Sequence, residues 1–257
     1  MNHSQTQDAG QVVRTVRPGA PSPVVLVCEH ASAFMPASFD NLGLSEDVRR
    51  SHVAWDPGAL GVAEALSVLL DATLVASGIS RLLYDCNRPP EAEGAMPARS
   101  EIYDIPGNVG LTEAQRKART DAFYRPFRAA VGAALGSRRD AILVTLHSFT
   151  PVFHGTPRAV EIGILHDSDA RLADAILAEA EDHADHVVRR NDPYGPQDGV
   201  THTLIEHGVA HGRPNVMIEI RNDLIRTEAE QQAMAQLLAG WITSAVAAVT
   251  DPEATSG

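Results

Sequence analysis

The chain has 257 residues, of which 44% are hydrophobic and 21% are charged, and its formal net charge is −12 at pH 7. This length and apolar content allow one large domain with a substantial core. The acidic balance argues against nucleic acid and against an anionic membrane surface as partners, because both require a basic face. The two cysteines, Cys28 and Cys86, are too few for a disulfide framework and favour a reducing compartment. No segment indicates a signal peptide or a membrane span, so we expect a cytoplasmic protein.

Strands and helices are predicted to alternate along most of the chain, which is typical of an α/β domain with a mixed sheet flanked by helices. Residues 1–20 are expected to form a flexible tail with a short strand near Val12–Val16, and residues 21–250 to form a single domain. Predicted strands are Val24–Cys28, Thr73–Ala76, Ser80–Asp85, Ile142–Leu146, Val160–Leu165, His186–Arg190 and Val216–Ile220. Predicted helices are Leu44–His52, Ala59–Leu70, Thr112–Leu135, Asp169–Asp185 and Thr227–Val249; capping boxes open the third and the last. Between Glu91 and Gly110 neither period is present, which predicts a long loop of the kind that often covers a binding site.

Three of the buried strands deliver an ionisable side chain at or near their carboxyl ends: His30, His147 and Glu219. Ligands of open α/β sheets bind in the crevice outside these ends. Catalytic zinc sites use three His or carboxylate ligands and keep one position for water. We therefore predict that His30, His147 and Asp56 bind zinc or another divalent metal, and that Glu219 is the general base.

Each of the two carboxylates also has a structural interpretation. Asp56 precedes a Pro-Gly turn and a helix, so it could serve as a helix N-cap. Glu219 could be a buried carboxylate neutralised by Arg221 or Arg88. The sequence alone leaves both interpretations open.

A carboxylate receptor is predicted at the Asn87-Arg88 pair, because a guanidinium fork beside an amide offers several donors. Arg81 is a second candidate for this role. The alternative is a surface turn with a solvated arginine. No nucleophile elbow, P-loop or dinucleotide fingerprint is present in the sequence.

Six short motifs, in this order, resemble those of the N-formylglutamate amidohydrolase family over about residues 22–245: C-E-H-A-S, H-V-A-W-D-P-G-A, L-L-Y-D-C-N-R-P, L-H-S-F-T-P, N-D-P-Y and I-E-I-R-N-D-L-I. The resemblance implies a zinc-carboxypeptidase-like (phosphorylase/hydrolase-like) fold and hydrolysis of an N-acyl amide such as that of N-formylglutamate. By the same resemblance His30 and His147 are metal ligands, Asp56 is the third ligand and Glu219 is the general base. Asn87 and Arg88 would hold the substrate carboxylate.

One departure leaves the third ligand open. Zinc carboxypeptidases place a carboxylate three residues after the first histidine, and that position is Ala33 here. Glu29 therefore competes with Asp56, although successive strand residues point to opposite faces and Glu29 precedes His30.

The expected reaction has Glu219 moving the proton and Arg88 positioning the α-carboxylate, which places Arg88 among the catalytic residues. Arg81 or Arg221 would neutralise either a second charge or the oxyanion. The expected partner is a small N-acyl amino acid, and a homo-oligomer is compatible with the sequence. The alternatives are a peptidase or an acylase for larger acyl groups, or a non-catalytic small-molecule binding protein of the same fold.

Overall fold

The structure, a computed structural model, describes residues 11–136, 140–183 and 185–250. Its strands are β1 (Val13–Val16), β2 (Val24–Cys28), β3 (Thr73–Ser77), β4 (Arg99–Ser100), β5 (Tyr103–Asp104), β6 (Ile142–Phe149), β7 (Val152–Phe153), β8 (Thr156–Pro157), β9 (Ile162–Leu165), β10 (Val188–Arg190) and β11 (Asn215–Arg221). Its α-helices are α1 (Glu46–Arg50), α2 (Ala59–Leu69), α3 (Glu113–Arg119), α4 (Arg125–Leu135), α5 (Arg171–His183) and α6 (Glu228–Thr250). The predicted class, a mixed sheet flanked by helices, is confirmed.

A seven-stranded sheet has the order β1-β3-β2-β6-β11-β9-β10. Its four central strands, β3, β2, β6 and β11, run parallel to one another. The edges are mixed, because β1 is antiparallel to β3 and β9 is antiparallel to β11. Since parallel strands end at the same edge of a sheet, β2, β6 and β11 deliver their last residues to one place.

Both faces of the sheet are covered, which explains why its central strands are continuous apolar runs. Val24, Leu26 and Cys28 of β2 point into a core shared with α2, α5 and α6. The alternate residues Val25 and Val27 point into a second core, which the α3–α4 region and the long loops cover. This alternation is the two-residue period of a strand.

The two predicted capping boxes are present. Thr112 accepts from the Gln115 backbone N–H, and the Gln115 side chain accepts from the Thr112 N–H, so the chain enters α3 as predicted. The predicted long helix contains one π-helical stretch, Thr120–Tyr124, which joins α3 to α4. Thr227 and Glu230 make the same reciprocal pair before α6.

Helix α6 is long and apolar enough, by length and composition, to cross a membrane, which the sequence analysis did not anticipate. Its buried side chains, among them Leu238, Trp241 and Ile242, belong to the core that α6 shares with α2 and α5. Packing of this kind accounts for the apolar face of α6 within the fold.

One predicted strand is absent from the structure, and one predicted strand lies within the predicted N-terminal tail. The predicted strand Ser80–Asp85 is wrong: the segment is a buried turn whose backbone N–H groups bond to other loops, for example Arg81 N to Ala54 O at 3.1 Å. Its apolar residues are buried without sheet pairing, and burial alone produced the strand-like pattern. The N-terminal strand is confirmed as β1, which lies inside the predicted tail; residues 1–10 are outside the described part of the chain.

Candidate metal centre

The predicted strand-end residues meet at the carboxyl edge of the central sheet. His147 lies on β6 and pairs in register with Glu219 on the neighbouring strand β11. His30 follows β2, and Asp56 comes from the loop before α2, where its backbone N–H donates to His30 O at 2.9 Å. All four side chains are almost completely buried, with exposed fractions of 2–5%.

Three of these side chains turn one ligand atom each towards a common point. Asp56 Oδ2 lies 3.3 Å from His30 Nδ1 and 2.9 Å from His147 Nδ1, and the two nitrogens are 3.1 Å apart. Tetrahedral zinc with ligand distances of about 2.0–2.2 Å would separate its ligand atoms by roughly 3.3 Å. The triangle formed by His30, Asp56 and His147 is therefore close to the size that a zinc ion needs, and this group could hold a metal ion.

A carboxylate lies beside the outer nitrogen of each imidazole. His30 Nε2 is 2.7 Å from Asp85 Oδ1, and His147 Nε2 is 3.1 Å from Glu29 Oε2. A carboxylate at Nε2 keeps the ring proton on that nitrogen and leaves the Nδ1 lone pair available for a metal. Glu29 therefore contacts the far side of His147, and Asp56 completes the inward-facing triangle.

Asp56 is held in place by donors on both of its oxygens. The Ser148 backbone N–H donates to Oδ2 at 3.2 Å, and Arg81 Nη1 donates to Oδ1 at 3.3 Å. The N-cap of α2 is Gly58, whose φ of 83° favours glycine, and Asp56 makes no side-chain cap there. The Asp56 side chain thus points into the cluster and does not cap the helix.

Opposite charges control protonation in this cluster. Burial alone would raise the pKa of Asp56, but the imidazoles of His30 and His147 hold that pKa well below its usual range. Burial would lower the pKa of His147, and the carboxylates of Glu29 and Asp56 outweigh this effect and raise it. The carboxylate triad of Glu29, Asp56 and Asp85 therefore creates a strongly cation-attracting pocket.

Glu219 differs from the other acids of the cluster. Its Oε2 atom is buried and has no hydrogen-bond partner among the described residues, and neither Arg221 nor Arg88 forms an ion pair with it. Burial, assisted by the negative charge of Asp56, raises the pKa of Glu219 to about 7. A carboxylate with this pKa can accept and return a proton near neutral pH.

A cavity of about 200 Å³ opens directly onto the cluster. Ser100 and Glu101 of the predicted long loop line this cavity, opposite the strand ends. The loop is made of short 3₁₀ turns and the β4–β5 hairpin, and Glu101 Oε1 lies 2.8 Å from His52 Nε2. The remaining lining residues are His30, His52, Val53, Asp56, Arg81, Asn87, Arg88, His147, Ser148, Phe149, Thr150, Phe153, Tyr194, Val200 and Glu219.

The residues predicted to bind substrate have different environments. Arg88 lines the cavity, and among the described residues its guanidinium bonds only to the backbone carbonyls of Asn87 and Gly199. Asn87 also lines the cavity, but its side-chain amide is already bonded at both groups. The NH₂ group donates to Val200 O, and the carbonyl oxygen accepts from the Thr203 backbone N–H. Arg81 lines the cavity with its guanidinium paired to Asp56 and Asp85.

Arg221 is not brought to the cavity. Its guanidinium pairs with Glu161 at 3.2 Å and with Asp223 at 2.8 Å.

Asp85 is the residue that the sequence analysis missed. Its position in D-C-N-R, three residues before Arg88, could have indicated a role in the site. The strand predicted for this segment gave no reason to expect the Asp85 side chain beside His30.

Comparisons with known proteins identify the family and support the fold. The sequence profile of the N-formylglutamate amidohydrolase family matches residues 22–226. The fold and the profile together define an amidohydrolase. The chain belongs to the N-formylglutamate amidohydrolase family.

Two solved structures are similar to the chain. A gene product of Agrobacterium tumefaciens is 56% identical, with a TM-score of 0.92 over 96% of this chain and 99% of that one. The N-formylglutamate amidohydrolase of Ralstonia eutropha shares the fold, with 22% identity and a TM-score of 0.65 over 90% of this chain and 98% of that one. No curated protein matches the chain.

Proposed function

We propose that this protein is a zinc-dependent hydrolase that removes the formyl group from an N-formyl amino acid such as N-formylglutamate. The observation that carries the proposal is the inward-facing triangle of His30, Asp56 and His147, with a carboxylate behind each imidazole. This arrangement suits a divalent cation because it combines neutral nitrogen ligands with excess negative charge. Family membership supplies the class of amide.

Zinc held by these three residues would lower the pKa of a water molecule and polarise the amide carbonyl. Glu219 accepts the proton of the attacking water and returns it to the leaving amine. Glu219 lines the same cavity as the triangle, its Oε2 has no hydrogen-bond partner among the described residues, and its pKa of about 7 lets it do both at neutral pH. Glu29 and Asp85 keep the two imidazoles oriented.

Arg88 is proposed to bind the α-carboxylate of the substrate. Among the guanidinium groups that line the cavity, Arg81 is neutralised by two aspartates, whereas Arg88 bonds only to carbonyl groups. Asn87 supports the position of Arg88 by bonding to the backbone of Val200 and Thr203, next to Gly199, whose carbonyl accepts from Arg88. The volume of about 200 Å³ favours a small acyl group over a peptide.

The remaining assignments rest on the sequence. We infer that the partner is a small N-acyl amino acid, that the protein works in the cytoplasm as part of amino-acid metabolism, and that zinc is its metal. Two reduced, buried cysteines support the cytoplasmic location, and the acidic composition argues against nucleic acid or an anionic membrane as the partner.

The test is release of formate from N-formyl-L-glutamate by the purified protein, before and after chelation and after zinc is restored. We expect activity that chelation abolishes and zinc restores. A parallel panel of N-acetyl amino acids and dipeptides should react much more slowly. Faster cleavage of that panel would identify an acylase or a peptidase, and binding without cleavage of any of them would identify a non-catalytic protein.

His147→Ala supplies the matched test of the site. It should lose both bound zinc and activity, because one corner of the triangle is removed. His211→Ala, which changes an exposed histidine, should retain both. Full zinc occupancy in His147→Ala would contradict the proposed ligand set.

A further inference from the structure

The proposed substrate, N-formylglutamate, carries two carboxylates. Arg88 is proposed to bind the α-carboxylate, and no residue has yet been assigned to the carboxylate of the side chain. The sequence analysis suggested Arg81 or Arg221 for the second charge. Both guanidinium groups already face two carboxylates each: Asp56 and Asp85 for Arg81, Glu161 and Asp223 for Arg221. Neither is well placed to neutralise another anion.

Arg158 offers a different environment. It follows the β7–β8 hairpin, and its guanidinium carbon lies 5.4 Å, 4.5 Å and 4.9 Å from the ring centroids of Phe149, Phe153 and Tyr194. All three rings also line the cavity of the metal centre. Cation–π contacts of this kind fix the plane of a guanidinium without neutralising its charge.

The hydrogen bonds of Arg158 leave most of its donors unused. Nη1 donates to Thr150 O at 3.4 Å and Nη2 donates to Tyr194 Oη at 3.0 Å. A guanidinium has five N–H donors, and three of those of Arg158 have no bond in the described part of the chain. No carboxylate of the described residues pairs with Arg158, so its charge is available to a ligand.

A second, more open cavity lies beside the cavity of the metal centre. Its volume is about 660 Å³, and Arg158 lines it. The two cavities share four residues as walls: Arg88, Phe153, Tyr194 and Val200. Arg88 therefore lines both cavities, and Arg158 lines the second one.

We propose that Arg158 determines specificity by binding a second carboxylate, carried on the side chain of the substrate amino acid, while Arg88 binds the α-carboxylate. The inference rests on the proposed function and adds to it the residue that recognises the side chain of the substrate. The two acids that line the second cavity, Asp192 and Asp198, are exposed, and water screens their charge. Arg158 is half-buried against aromatic rings, so a bidentate pair with a carboxylate is stronger there.

The experiment compares N-formyl-L-glutamate with N-formyl-L-glutamine, which has nearly the same shape and lacks the side-chain charge. Steady-state formate release by the zinc-loaded enzyme gives the ratio of the two kcat/KM values. We expect the wild type to prefer the glutamate substrate, and Arg158→Gln to lower that ratio by about 10- to 100-fold. The loss should lie mainly in KM for the glutamate substrate, because binding of the side chain does not change during the reaction.

Two further variants keep the result interpretable. Arg189→Gln removes the same charge from an exposed position on β10 and should leave the ratio unchanged. Arg158→Lys retains the charge and loses the fork, and it should lower the ratio by less than Arg158→Gln. It also provides the measurement if Arg158→Gln does not fold, as judged by circular dichroism and thermal melting.

The outcomes separate the two proposals. If the wild type releases formate from neither substrate, the proposed function fails. If the wild type cleaves N-formylglutamate and the ratio is the same in the folded Arg158 variants, or both substrates decline equally, the role of Arg158 is overturned and the proposed function stands.

Discussion

Substitution of Asp85 tests most directly how the metal centre is held. Asp85 contacts the predicted ligand His30 but is not one of the three residues of the triangle. Its Oδ1 lies 2.7 Å from His30 Nε2 and accepts the Asn87 backbone N–H at 2.9 Å, while Oδ2 accepts from Arg81 Nη2 at 3.1 Å. The positive charge of these neighbours outweighs burial and keeps the pKa of Asp85 well below its usual range. Asp85→Asn preserves the shape and removes the negative charge.

The expected cost follows from these contacts. The amide oxygen can still accept from His30, so the ring keeps its tautomer, but the hydrogen bond is no longer charge-assisted. The amide NH₂ must also face the guanidinium of Arg81, where a carboxylate oxygen accepted before. Loss of one carboxylate behind a ligating histidine weakens metal binding by about 10- to 100-fold, which corresponds to about 1.4–2.7 kcal/mol.

Zinc affinity can be measured by competition with a chromogenic chelator. Asp104→Asn is the matched control, because Asp104 is exposed and its only ion pair in the described part of the chain is with Arg99 on the β4–β5 hairpin. We expect a dissociation constant for zinc that rises in Asp85→Asn and is unchanged in Asp104→Asn. Wild-type affinity in Asp85→Asn would refute the assignment of Asp85 as the residue that orients His30.

Three further predictions concern protonation. Glu219→Gln should lower kcat by about 10²- to 10⁴-fold while zinc stays bound, and wild-type turnover would rule out Glu219 as the base. Zinc binding near pH 7 should release about one proton or more, because His147 has a raised pKa and must give up its Nδ1 proton. Titration calorimetry in buffers of different ionisation enthalpy measures the number of protons released. Zinc binding without proton release would contradict ligation through Nδ1. Burial lowers the pKa of His207 from 6.5 to about 4, so this residue adds stability that is present above pH 6.5 and lost as the pH falls. His207→Gln should therefore reduce the fall in unfolding free energy between pH 7.5 and pH 5 by about 2 kcal/mol, measured by urea denaturation; an unchanged fall would show that His207 is not its source.

The sequence was sufficient for the sheet and for the strand-end part of the site. Apolar runs identified β2, β6 and β11, and because parallel strands end at one edge, His30, His147 and Glu219 were expected together. The in-register pairing of His147 with Glu219 follows from that topology. The capping boxes at Thr112 and Thr227 located the starts of two helices because they depend only on local hydrogen bonds.

Residues supplied by loops were harder to place. Asp56 could be a ligand or a helix cap, and the structure decides between them because Gly58, with a φ of 83°, is the N-cap of α2. Asp85 sits at the end of a buried turn whose apolar residues imitate a strand. Arg158 is brought to its aromatic neighbours by a hairpin, and the periodicity of the sequence does not predict such a contact.

The most direct test of the metal centre is anomalous diffraction at the zinc edge from crystals of the zinc-loaded protein. The account predicts one strong peak bound by His30 Nδ1, His147 Nδ1 and Asp56 Oδ2, at about 2.0–2.2 Å from each. The Nε2 atoms of the two histidines should stay beside Asp85 and Glu29. A peak elsewhere, or an ion bound through either Nε2 atom, would contradict it.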